Sequence, residues 1–91
     1  MSPILMIEDE PRISAFVAKG LKAEGFATTV ATTGREGLVL ALTGGFELVI
    51  LDLGLPDIDG FEVLQRIRAR DEQLPVIILT PGPPPMTPSR G

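Results

Sequence analysis

Leu48-Val49-Ile50-Leu51-Asp52-Leu53-Gly54-Leu55-Pro56-Asp57-Ile58-Asp59-Gly60 is an apolar run that ends on a carboxylate and then breaks into turn-forming residues. An unbroken series of Leu, Val and Ile is the pattern of a strand buried on both faces, which places it inside a parallel sheet. Asp52 stands where that strand stops. Open α/β sheets hold ligands just outside the carboxyl ends of their strands. Gly54, Pro56 and Gly60 suit a tight loop around whatever Asp52 holds.

Upstream, Ile4-Leu5-Met6-Ile7 reads as a first strand with Glu8, Asp9 and Glu10 at its exit. Pro11 suits the first position of a helix, along which Ile13, Phe16, Val17, Gly20 and Leu21 recur at helical spacing. Gly25 is a helix stop. Phe26 to Ala31, with Thr28, Thr29 and Val30, has the mixed character of an edge strand. Thr33 caps a second helix through Leu42 whose inner face is Leu38, Ala41 and Leu42, and Gly44-Gly45 ends it.

Downstream of the loop, Asp59 caps a third helix from Gly60 to Ala69 that buries Phe61, Leu64 and Ile67. Asp71 to Leu74 is a polar turn. Pro75 opens a fourth strand, Val76 to Thr80. Strands alternating with helices imply a parallel sheet with right-handed crossovers. Residues 81–91, rich in Pro and Gly, hold no periodic pattern and are expected to be extended or disordered.

The chain has 91 residues, enough for one small domain. Its net charge of −4, from 8 basic and 12 acidic residues, argues against an intrinsic nucleic-acid grip. No cysteine is present, which excludes disulfides and thiolate metal sites, and no histidine, which removes the commonest general base and metal ligand. No segment approaches the roughly 20 apolar residues of a membrane span, so a cytoplasmic protein is the default expectation.

If the sheet is parallel, Glu8, Asp9, Asp52 and Thr80 lie at strand exits on one rim. Carboxylates that converge without a basic partner repel one another, and a hard divalent cation such as magnesium relieves that repulsion. Asp52 then has the position of a nucleophile toward a phosphoryl group. Taken singly, each residue has a plainer role. Glu8 and Asp9 suit the start of a helix, Asp52 a turn, Thr80 a β-branched strand position, and Asp57 and Asp59 loop solubility and helix capping. It is the joint spacing of the acids that points to a site. The Asp57–Gly60 fragment lacks the flanking acids of a calcium loop, and Gly34-Arg35-Glu36-Gly37 lacks the lysine and further glycine of a phosphate loop.

Three motifs, residues 4–10, 52–60 and 75–80, together resemble the receiver domain of bacterial two-component response regulators, most closely the OmpR/PhoB type. The resemblance covers residues 3 to 80. It implies a flavodoxin-like α/β fold in an incomplete form, with four parallel strands in the order 2-1-3-4 and three helices. It also implies that Asp52 is the phospho-acceptor and that Glu8, Asp9, Asp52 and the backbone carbonyl of Gly54 form a Mg2+ site. Thr80 would be the switch hydroxyl, and a sensor histidine kinase the phosphodonor. A signalling domain rather than an enzyme is expected.

The departures from the family are specific. Its fifth strand and two further helices have no counterpart after Thr80, so residues 1–80 are expected to be a truncated receiver domain. Pro81 stands where a small residue is usual. The family's phosphate-pairing lysine is missing, since Lys19 and Lys22 both lie on the first helix, and so is its aromatic switch residue. These losses imply impaired phosphorylation and an exposed Val76–Leu79 edge open to homodimerisation or strand exchange. Two rivals remain: a non-phosphorylated decoy that binds a kinase or a sibling regulator, and a metal-dependent hydrolase. The hydrolase lacks the second aspartate two residues after Asp52.

Overall fold

The computed structural model describes residues 3–79. Strands β1 (Pro3–Ile7), β2 (Ala27–Ala31), β3 (Leu48–Asp52) and β4 (Val76–Leu79) alternate with helices α1 (Pro11–Ala23), α2 (Gly34–Thr43) and α3 (Gly60–Arg70). The strands form one parallel sheet in the order β2-β1-β3-β4. The expected flavodoxin-like fold, strand order and helix count are those observed. Thr80 and the Pro/Gly segment 81–91 lie outside the described residues.

Side chains alternate across each strand and build two cores. Leu5 and Ile7 of β1 join Val49 and Leu51 of β3, Ala31, and Val63 and Ile67 of α3 on one face. Ile4, Met6 and Ile50 form a smaller cluster on the other face, against Val17 and Leu21 of α1. Helices pack on both faces of the sheet over β1 and β3, which is why their runs are apolar without alternation.

The helix ends are chemically explicit. Glu10, not predicted as a cap, accepts from the Arg12 amide at 3.1 Å and starts α1 ahead of Pro11. At the far end Gly25 adopts φ 91°, its amide donates to Lys22 O and the Phe26 amide donates to Leu21 O. This pair of bonds is the Schellman stop that a left-handed glycine permits. Thr33 accepts from the Glu36 amide and Glu36 reaches back to the Thr32 amide, a reciprocal cap on α2.

Two expectations about the core are corrected. Of the α1 series Ile13, Phe16, Val17, Gly20 and Leu21, Val17 and Leu21 face the sheet, whereas Phe16 is 80% exposed. Phe61 is 58% exposed, while Val63 and Ile67 carry the buried face of α3. Each phenylalanine fits the broad apolar stripe on its helix, but the contact with the sheet is narrower than that stripe. An unpredicted residue, Gly37, sets how closely α2 approaches β1: a Cβ there would lie 2.5–2.7 Å from Ile7 side-chain atoms.

Gly37→Ala is therefore expected to destabilise the fold by about 1–3 kcal/mol through overpacking. Gly20→Ala, in the middle of α1 with nothing within 4 Å of the added carbon, is expected to stabilise it by about 0.5–1 kcal/mol. Urea denaturation of the two variants measures both effects.

Candidate metal centre at the strand exits

Register builds the site. Ile7 of β1 pairs with Leu51 of β3, so the next residues, Glu8 and Asp52, leave the sheet side by side. The Glu8 amide still donates to Ala31 O at 2.9 Å, extending the β1–β2 ladder by one step. By strand alternation Glu8 falls on the side of Ile4 and Met6, and Asp52 on the side of Ile50. Asp9 follows at the surface. Carboxylate oxygens of Glu8, Asp9 and Asp52 all lie within 4.8 Å of one another. The three predicted acids therefore meet.

Two of them are buried: Glu8 is 3% exposed and Asp52 6%. Among the described residues no Lys or Arg forms an ion pair with any of the three. Glu8 Oε2 accepts from the Glu10 amide at 3.0 Å, and Asp52 Oδ1 accepts from the Gly54 amide at 3.2 Å. Burial pushes the Glu8 carboxyl above its ordinary 4.5, the Glu10 amide bond opposes this, and the charges of Asp52 and Asp9 add to the rise. Three carboxylates held together with so little compensation are a donor set suited to a hard cation with oxygen ligands, such as Mg2+.

The loop from Leu53 to Asp59 closes on itself. Gly60 packs so tightly that a Cβ would sit 2.6 Å from Leu53 Cα and 2.7 Å from Asp52 O. Asp59 caps α3 as expected, accepting from the Phe61 amide at 3.0 Å. Asp57 does something the sequence does not reveal. Its carboxylate accepts from the Gly34 amide at 2.7 Å and the Arg35 amide at 2.9 Å, capping α2 across 22–23 residues. Those bonds hold the Asp57 carboxyl below its ordinary 3.8. Thr80, the remaining predicted site residue, falls outside the described residues.

A parallel α/β sheet with buried acids at neighbouring strand exits defines a receiver-type domain. The chain belongs to the response regulator receiver domain family, whose model matches residues 4–84. It is 47% identical over 77 residues to the transcriptional regulatory protein YkoG of Bacillus subtilis and 36% identical over 77 residues to the transcriptional regulatory protein CusR of Escherichia coli K12. Each alignment covers 85% of this chain and 34% of the relative, so the chain spans about a third of the length of those curated relatives. The response regulator TrrA of Thermotoga maritima, solved with Mg2+ and BeF, superposes with TM-score 0.85 at 38% identity, covering 88% of this chain and 70% of TrrA. TrrA in complex with the histidine kinase ThkA gives TM-score 0.85 at 34% identity, covering 97% of this chain and 76% of the matched one.

A carboxyl whose folded-state pKa is raised costs stability once it ionises, and the cost is relieved as pH falls through the folded value toward 4.5. The metal-free protein is therefore expected to become more stable on going from neutral pH toward that value. Glu8→Gln is expected to flatten this rise and to raise the neutral-pH melting temperature. Thermal melts across pH, with chelator present, measure both.

Proposed function

We propose that this chain is a phosphorelay receiver that takes a phosphoryl group onto Asp52 from a sensor histidine kinase. The observation that carries this reading is the meeting of Glu8, Asp9 and Asp52 within 4.8 Å, two of them buried and none ion-paired among the described residues. The Mg2+ and BeF bound by TrrA, and the kinase bound by TrrA, support it by likeness.

Glu8, Asp9, Asp52 and the Gly54 backbone carbonyl would hold Mg2+, which when bound neutralises charge on the carboxylates and on the incoming phosphoryl oxygens. The Asp52 carboxylate supplies the attacking oxygen. A bond forms from that oxygen to phosphorus, the bond from phosphorus to the donor's imidazole nitrogen breaks, and an acyl phosphate results. Thr80 is assigned the switch hydroxyl. The domain accepts a group and does not turn over a substrate, so it is not read as an enzyme. Among the described residues no helix is long and apolar enough to cross a membrane, which suits a cytoplasmic phosphorelay. We assign this segment no contact with nucleic acid, leaving DNA binding to output domains of the kind that transcriptional regulators carry.

A second reading is a decoy that binds a kinase or a regulator without being phosphorylated. Phe16 and Ile13, exposed on α1, favour it as an apolar docking face. Incubation with Mg2+ and acetyl phosphate, followed by intact-mass measurement, separates the two. A single adduct in the wild type and none in Asp52→Asn is expected. An adduct that persists in the Asn variant refutes the assignment of Asp52, and no adduct in either favours the decoy.

β4 is the sheet's edge among the described residues, with Ile77 52% exposed. Unpaired apolar edges recruit other strands. The 91-residue chain taken alone is thus expected to associate, as a homodimer or by strand exchange. Light scattering showing a monomer across micromolar concentrations counts against this.

A further inference from the structure

The Leu53–Asp59 loop is tied at three places. At its near end the Gly54 amide donates to Asp52 Oδ1. At its base Gly60 presses on the backbone of Asp52 and Leu53, and the Gly60 amide donates to Leu53 O at 3.4 Å. At its outer bend Asp57 binds the first two amides of α2, and Ile58 packs so close to Gly34 that a Cβ there would lie 2.7 Å from Ile58 Cγ1. Among the described residues Asp57 makes the loop's polar link to α2.

The bond is built for that link. Both carboxylate oxygens are used, one for each amide, and both amides lie in the first turn of α2, where helix donors lack internal partners and a negative charge is favoured. The Arg35 side chain adds a longer contact, Nε to Oδ2 at 3.9 Å. Thr33 serves the Glu36 amide independently. The N-terminus of α2 thus has two caps: one local, and one borrowed from the loop beside Asp52.

We propose that Asp57 is a positioning residue for the metal centre, holding the Gly54 segment in place by anchoring the loop to α2. This rests on the assignment of Mg2+ to Glu8, Asp9 and Asp52. A loop already fastened at its outer bend loses less freedom when a cation orders its inner end. Coupling of this kind is reciprocal, so a cation bound at the rim tightens the Asp57 bonds to Gly34 and Arg35.

The test is Mg2+ titration by calorimetry on the 91-residue chain, paired with amide hydrogen exchange at Gly34 and Arg35. Asp57→Ala is expected to weaken Mg2+ binding by about tenfold, the lower end of what loss of an outer partner costs a metal site. Asp57→Asn, which keeps one acceptor oxygen, is expected to fall between Ala and wild type, and it carries the test if the Ala variant fails to fold. Thr33→Ala removes the other cap from the same helix and is expected to leave Mg2+ affinity unchanged. Mg2+ is expected to slow exchange at Gly34 and Arg35 in the wild type but not in Asp57→Ala. Equal affinity in the wild type and both Asp57 variants overturns the proposal. So does a loss in Thr33→Ala as large as that in Asp57→Ala, which marks a merely structural effect. Mg2+ binding that is absent in the wild type, or undiminished in Asp52→Asn, overturns the underlying metal assignment instead. A loss at Asp52 with none at Asp57 overturns this inference alone.

Discussion

Glu8 and Asp52 leave adjacent parallel strands side by side, and the rest of the structure bears on that placement. Two buried carboxylates at the end of a sheet are an unfavourable arrangement on electrostatic grounds alone. Their position follows from the register of β1 against β3, and that register follows from the apolar faces of the two strands. A slip of one residue in either strand would exchange its side chains between the two packed faces and mismatch both clusters. Packing thus enforces what charge opposes, and the strain concentrates at the rim where chemistry is expected.

The two faces of the sheet contribute unequally. α2 and α3 cover the larger cluster, and α2 lies close against β1 because Gly37 presents no side chain to Ile7. Among the described residues α1 is the one helix over the smaller cluster, with Ser14 as its one buried residue. The loop that follows β3 meets the start of α2, where Asp57 joins them.

Much of this was legible in the chain. The Leu48–Asp52 run announced a central parallel strand, and the acids after Ile7 announced a partner rim, because both signals are local and strong. Gly25, Thr33 and Asp59 were readable as helix ends for the same reason. Phe16 and Phe61 depart from their helical pattern because apolar spacing shows which residues can share a face but not how wide a contact the neighbouring sheet offers. Glu10 was passed over as a cap since three consecutive acids compete for the role and the strand's exact end selects among them. Asp57 and Gly37 were invisible in their true roles. One depends on where a loop meets a helix more than twenty residues away, the other on how closely a helix lies over a strand, and neither distance is written in local pattern.

The strand order also determines which parts of the molecule open first. β1 and β3 each hydrogen-bond to two neighbours, so breaking either requires disrupting most of the sheet. Glu8 and Asp52 hang from these two slowest-opening strands, while Gly54 and Asp57 belong to a surface loop. Glu8 and Asp52 are therefore fixed to the part of the fold that opens last, opposite a surface loop.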